Sequence, residues 1–459
     1  MEEYIEKLIS QVRCKKARPY IEAEIRGHIE EQIEDNIDAG MNQEEAVKNA
    51  VADMGDPVAT GIELDRIHKP QIAWSMLVIV GIVSLIGIFI HFLLSRDINE
   101  LAESGKHIPR SMYSYRNYYS GVIIGLALML AIYFIDYSFI VKYSRIIGGV
   151  ILFIGLAGVI LGNNNYGVST ILNGKLQIVQ LIMLYVPIYG AIMYKYRNTG
   201  LKGLMLSVAW MLAPIIEAVL LPNIYLAFVL YVTMFPMLII AAIDGWFTVP
   251  KKRAVISLST AFALSPIVAL GGLILSDGLL TGYQKARIHA WVHPGYESGE
   301  IGYMSHNLKE QIMNSIMIGS NSNGAEILGS GENYTSDFIF TYITGTYGIL
   351  AGVLLCIAIA TLIFMVFAAA TKQKNRVGML MGCGCGILLL VITGINILEN
   401  VGLFPISQTF LPFISSGRYS IVLSYVLTGI VMSVYRYKDV YPRHFTVKSI
   451  MKKNVKVGQ

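Results

Sequence analysis

The chain has 459 residues, of which 54% are hydrophobic and 15% charged, with a formal net charge of +5. A soluble protein averages about 25% charged residues. So apolar a chain could not cover its own surface with polar groups, which excludes a soluble enzyme, a disordered scaffold and a nucleic-acid-binding domain. The apolar residues fall in long runs, and the expected architecture is all-α: a small soluble helical piece followed by a large polytopic membrane domain.

Residues 1–70 carry 16 Asp+Glu and 9 Lys+Arg, a net −7, so the remainder carries +12. Such a shift marks a domain boundary. The start, Met1-Glu-Glu-Tyr-Ile-Glu-Lys, has acids where a secretory signal needs basic residues, so no signal peptide is read there. Ile21, Ile25, Ile29 and Ile33, extended by Ile37, recur every four residues among charged ones and form one apolar stripe on a helix. Gly40 fits a helix stop, Asn42 a cap for a second helix, and Gly55-Asp56-Pro57 its end, with a short helix from about Val58 to His68. Arg26-x-His28-Ile29-Glu30, Gly40, Glu44-Glu45-Ala46 and Met54-Gly55-Asp56-Pro57 resemble the permease-prefix domains that precede several bacterial membrane proteins.

A spanning helix needs about 20 mostly apolar residues. Ten candidates start near residues 72, 119, 145, 176, 203, 223, 254, 338, 378 and 412. The eighth, Phe338 to Ala370, is too long for one perpendicular helix, so its start is expected to tilt or re-enter. Basic residues crowd the connections after even-numbered spans, as in Lys251-Lys252-Arg253 and Lys372, Lys374 and Arg376, and thin out after odd-numbered ones. By the positive-inside rule both termini are then cytoplasmic. The expected organisation is an acidic cytoplasmic module over 1–70, a ten-span domain over 71–440 with an outer loop at 277–336, and a basic cytoplasmic tail over 441–459.

Charges inside the spans are few: Asp136, Glu217, Asp244 and Glu399, all near span ends. That argues against an ion-coupled pump. Cys14, Cys356, Cys383 and Cys385 read as packing residues, and Cys383-x-Cys385 is too tight for a structural zinc site. His289, His293 and His306 share the outer loop without a recognised metal-ligand spacing, so no metal ligands are assigned. Gly345, Gly348 and Gly352 are read as close-packing positions.

The polar density lies in the outer loop and its exits. Arg287-Ile288-x-Ala290 leads to His293-Pro294 and Gly299-x-x-Gly302-Tyr303. Ile318-Gly319-Ser320, Gly324, Gly329 and Gly331 follow, then Thr335-Ser336-Asp337-Phe338-Ile339-Phe340. Asn396 precedes Pro405 by nine residues, and Leu411-Pro412-Phe413-Ile414-Ser415-Ser416-Gly417 comes next. In order and spacing this set resembles the SEDS family of FtsW, RodA and SpoVE, over about residues 75–435 and most strongly over 284–420.

The resemblance implies a glycosyltransferase that polymerises lipid II at the outer face of the bacterial cytoplasmic membrane, with a class B penicillin-binding protein as transpeptidase partner and no nucleic acid. It implies Asp337 as the catalytic carboxylate and Arg287, Gln177, Asn396 and Ser415 as substrate-binding groups, with a divalent cation, Mg or Mn, as a candidate cofactor. The chemistry suits those residues. A carboxylate where a loop enters the membrane is partly desolvated, its pKa rises, and it can take a proton from an attacking sugar hydroxyl. A planar Arg fork can balance a leaving pyrophosphate. An acid before a helix is also a good cap, and that alternative stays open for Asp337.

The sequence departs from the family at several positions. Gly167 and Val168 stand where Arg and Trp are expected, and Met183 where the family's Lys, implied to pair with the Asp, belongs. Asn223 replaces an acid, Thr335 a His, Thr346-Tyr347 a Glu pair and Arg418 a Gly. Two other functions therefore remain open: a degenerate paralogue serving as scaffold or regulator, and a permease or flippase for a lipid-linked precursor.

Overall fold

The computed structural model describes residues 1–104, 115–165, 168–171, 176–275, 282–293, 299–319, 327–328, 332–407 and 409–444. Gly167, Pro294, Gly324, Gly329, Gly331 and the tail beyond 444 lie outside the described residues.

Four helices form the amino-terminal module: α1 (Glu2–Gln11), α2 (Arg18–Asp38), α3 (Gln43–Asp53) and α4 (Pro57–His68). Asn42 is the cap expected from the sequence, and Asp56, read there only as part of a helix end, also caps the next helix. Asn42 Oδ1 accepts from Glu45 N at 2.9 Å and caps α3, while Asp56 accepts from Val58 N and Ala59 N and caps α4. Gly40 (φ +95) and Gly55 (φ +72) make the left-handed turns between helices. Ile21, Ile25 and Ile29 are buried with Tyr4, Ile5 and Leu8 of α1, but Ile37 is exposed, so the buried stripe ends before the last expected position.

The module is seated on the membrane domain more closely than its charge alone suggests. Lys16 Nζ reaches Asp136 Oδ2 at 2.7 Å and also lies over the Tyr437 ring. Tyr20 packs edge-on against Tyr441, and His68 hydrogen-bonds the Asp439 carbonyl. Gln71, in the linker, donates from its backbone to Arg436 O (2.9 Å) and from its side chain to Asp439 Oδ2 (3.0 Å).

The membrane domain follows the ten expected segments. They are α5 (Trp74–Glu103), α6 (Tyr115–Phe134), α7 (Tyr137–Leu161), the short pair α8 (Ile178–Met183) and α9 (Tyr185–Tyr194), α10 (Gly200–Leu220), α11 (Ile224–Ile243), α12 (Lys251–Leu275), the broken pair α15 (Ile339–Tyr347) and α16 (Ile349–Thr371), α17 (Arg376–Asn400) and α18 (Arg418–Arg436). The loop helices α13 (Gly282–Val292) and α14 (Gly299–Met313) lie between α12 and α15. Eight of the described helices are long and apolar enough to cross a membrane. Their outer faces expose Phe89, Phe153, Ile160, Ile216 and Phe364, large apolar surface of the kind that lipid covers favourably.

Two features were not anticipated. A three-stranded antiparallel ribbon, Asn163–Asn165, Val168–Ile171 and Leu176–Gln177, joins α7 to α8. Gly348 is a helix break as well as a close-packing residue: with φ +94 it separates α15 from α16, and a Cβ there would lie 2.8 Å from Met317 O. Gly352 does allow close packing, since a Cβ would meet Thr344 Cγ2 at 2.3 Å. The run from Phe338 is thus a short inserted helix followed by a full span.

Candidate functional site

α17 starts at Arg376, beside the module, and its 25 residues carry the chain to Asn400. At 1.5 Å per residue that is about 37 Å, a full bilayer crossing. Asn396 and Asn400, one helical turn apart, therefore face the end of the bundle remote from the module, and there they meet Asp337.

Three consecutive carbonyls ahead of α15 are pinned. Thr335 O accepts from Ser416 N (3.2 Å), and Ser336 O from Ser415 Oγ (2.7 Å). Asp337 O accepts from both Asn396 Nδ2 (2.8 Å) and Asn400 Nδ2 (3.1 Å). Asn400 Oδ1 also accepts from Thr341 N (3.1 Å) and Thr341 Oγ1 (2.8 Å). Phe338, the residue ahead of α15, offers no side-chain cap, so Asn400 supplies the cap from across the bundle. The Asp337 carboxylate is accordingly not the cap of α15, and it stays half-buried at the helix entrance.

Burial pushes the Asp337 carboxyl up to about 7, against the opposing pull of a Ser336 hydrogen bond and the Arg287 charge. Arg287 reaches the site because α13 is tethered: Gln284 Nε2 donates to Pro222 O at 2.9 Å, in the turn between α10 and α11. Its charge acts on Glu399 as well. Glu399 is buried and accepts from Ser407 N (2.9 Å) and Thr409 Oγ1 (2.7 Å). Thr409 Oγ1 in turn accepts from Asn396 Nδ2 (2.8 Å).

The 411–417 loop is held from the other side. His91 Nε2 hydrogen-bonds Ile414 O (2.7 Å) and Tyr118 OH donates to Phe413 O (2.9 Å), their rings stacked at 3.8 Å. Phe413 sits at φ +66, a conformation a non-glycine residue holds only when its surroundings enforce it. α5 continues to Asp97, buried, which accepts from Tyr342 OH of α15 at 2.8 Å and pairs with Arg96.

Of the sequence-selected residues, Asp337, Arg287, Asn396 and Ser415 therefore converge. Gln177 does not: it stands at the start of α8, and among the described residues it makes no hydrogen bond with this cluster. Sequence reasoning gave no role to Asn400, Glu399, Thr409, His91 or Asp97. Two signals were available: the intramembrane charge of Glu399, and the i, i+4 spacing of Asn396 and Asn400, which puts two amides on one helix face. Met183 is fully buried among apolar residues, and Arg418 bonds Asn117 Oδ1 (2.9 Å) and Ser120, so both departures have apolar or structural settings. His289, His293 and His306 are exposed, and no group of three His, Cys, Asp or Glu able to hold a metal exists among the described residues. The fit for a divalent cation is poor among the described residues, because both Glu399 oxygens already accept hydrogen bonds and no third His, Cys, Asp or Glu joins Glu399 and Asp337 as a ligand set. Beside α15 lies an apolar cavity of about 390 Å³ lined by Ile312, Phe340, Thr344, Ile349 and Val353.

Helices that span a membrane, one inserted short helix and a pinned acid at its entrance define a polytopic membrane protein with a site at one bundle end. The chain belongs to the cell cycle protein family of FtsW, RodA and SpoVE, whose model matches residues 73–440. It is 28% identical over 193 residues to the probable peptidoglycan glycosyltransferase FtsW of Enterococcus hirae, covering 40% of this chain and 48% of that one. It is 29% identical over 108 residues to the peptidoglycan glycosyltransferase MrdB of Helicobacter pylori, covering 23% and 28%. The chain thus spans about half the length, or less, of these relatives. Its fold is similar to a chain of a peptidoglycan synthase complex studied for the coordination of polymerization and crosslinking (TM-score 0.60, 18% identity, 80% of this chain and 98% of that). It is also similar to the rod shape determining protein RodA of Thermus thermophilus (TM-score 0.54, 16% identity, 80% and 97%).

Proposed function

We propose that this protein is a peptidoglycan glycosyltransferase that polymerises lipid II, working with a class B penicillin-binding protein as transpeptidase. The observation that carries the reading is the pinned backbone at Thr335, Ser336 and Asp337, which fixes a half-buried carboxylate that does not cap its helix. In the proposed step Asp337 takes the proton from the acceptor sugar hydroxyl as its oxygen attacks the donor's anomeric carbon. The new C–O bond forms as the bond to the lipid pyrophosphate breaks, and the pyrophosphate leaves with the electron pair. Arg287 stabilises that negative charge, in a role distinct from the pairing lost with Met183. Asn396 and Ser415 act in this reading as positioning residues through the backbone, not as direct substrate ligands. The apolar cavity beside α15 suits the lipid chain. No step is assigned to a divalent cation.

The distribution of basic residues supports a cytoplasmic-membrane protein with both termini, and the module over 1–70, on the cytoplasmic side. The Asp337 site, at the end of α17 remote from the module, then faces outward. The test is polymerisation of labelled lipid II by purified protein, alone and with candidate transpeptidases. Wild type should form glycan strands and Asp337→Asn should form none. A wild type inactive with every partner would favour the scaffold reading, for which buried Met183 is the supporting observation.

A further inference from the structure

A second cavity, of about 870 Å³, opens at the other end of the bundle, where α2 of the module faces the ends of α16, α17 and α18. The membrane domain contributes Lys372, Lys374, Arg376 and Arg443, and the module Glu24 and His68. Charge in this seam is unbalanced. Asp439 is already bound by Lys374 (2.9 Å) and Gln71, and Arg376 leans on Asp244 at 3.4 Å. Among the described residues neither Lys372 nor Arg443 has a carboxylate within ion-pair distance, and both are exposed. α17, 25 residues long, also starts in this wall and presents the positive end of its dipole there.

We propose that this seam binds a phosphate-bearing ligand, with the phosphate held by Lys372, Lys374 and Arg443 and a hydrogen-bond donor on the same ligand held by Glu24. A volume of this size admits a nucleotide-sized molecule. Cations clustered at one mouth, with a carboxylate across from them, select an anionic group attached to a neutral or donor-bearing body. The cavity also lies at the level where three spans end, the depth of lipid headgroups, so the same phosphate chemistry has two sources: a soluble phosphorylated molecule or an anionic phospholipid. Because its two walls belong to the module and the membrane domain, an occupant ties them together. The assignment is independent of the catalytic reading.

The experiment uses the full chain in nanodiscs and reads hydrogen exchange of α2 together with thermal stability. One arm titrates inorganic pyrophosphate into phosphatidylcholine discs. The other compares phosphatidylcholine discs with discs containing phosphatidylglycerol. The expected result is slowed exchange in α2 and a higher melting temperature in one arm, which identifies the source. Lys372→Gln/Lys374→Gln should weaken that response about tenfold or more, because hydrogen bonds to charged groups are lost. Both side chains are exposed, and Asp439, though mostly buried, keeps Gln71 Nε2 at 3.0 Å and Lys438 at 4.0 Å when Lys374 is replaced, so the variant should melt close to wild type without ligand. No response in either arm, or equal responses of wild type and variant, overturns the proposal.

Discussion

Asn400→Leu gives a sharp test of how the site is held. Leucine keeps the branched shape but has no polar atoms. In the native protein Asn400 Oδ1 accepts from both Thr341 N and Thr341 Oγ1, at 3.1 and 2.8 Å, and Thr341 is fully buried. Thr341 N lies in the first turn of α15, where no intrahelical carbonyl can reach it. The substitution strands two buried donors, each at about 1–3 kcal/mol, so a destabilisation of about 2–6 kcal/mol is expected. Asp337 O keeps only Asn396. α15 then shifts at its entrance, and a misplacement of about 1 Å at a reacting group lowers rate by about 10²-fold. The assays are lipid II polymerisation and thermal unfolding in detergent. Thr341→Val in the Asn400→Leu background removes one stranded donor, so the double variant should recover about 1–3 kcal/mol relative to the single. A fully active, fully stable Asn400→Leu protein would refute the argument that α17 caps and positions α15.

Other outcomes follow from the same geometry. Asp337 must be ionised to accept a proton, so polymerisation should rise with pH through about 7, not near 4, in a pH–rate profile. Its folded pKa is raised above the unfolded value, so its contribution to stability is present at acid pH and is lost as pH climbs through about 7; Asp337→Asn should therefore be inactive yet more stable than wild type at alkaline pH, read as a melting temperature against pH. Arg287→Ala removes the charge that opposes this shift and should move the acid limb of the profile upward while lowering the maximal rate. Gly348→Ala, at φ +94 and with its Cβ 2.8 Å from Met317 O, should cost at least about 1–2 kcal/mol of stability, checked by thermal unfolding.

The sequence by itself determined the layers of this protein. Hydropathy and charge are local properties, so the ten apolar segments, the acidic module and the basic connections could be read without knowing what touches what. The helix cap at Asn42 was legible for the same reason, since cap and capped amide are three residues apart. The ordered motifs also placed Asp337 at a membrane entrance. Only the tertiary structure decided what those motifs do. Asn396 and Ser415 hold the backbone of residues 59 and 79 positions away, and Asn400 caps a helix 59 positions back. No local pattern announces such pairs, because a buried amide looks alike in sequence whether it binds a substrate or a carbonyl. The seat of the module was hidden for a related reason: net charge says that a unit is acidic, but docking depends on which side chains, such as Lys16 and Tyr20, lie on the face that meets Asp136 and Tyr441.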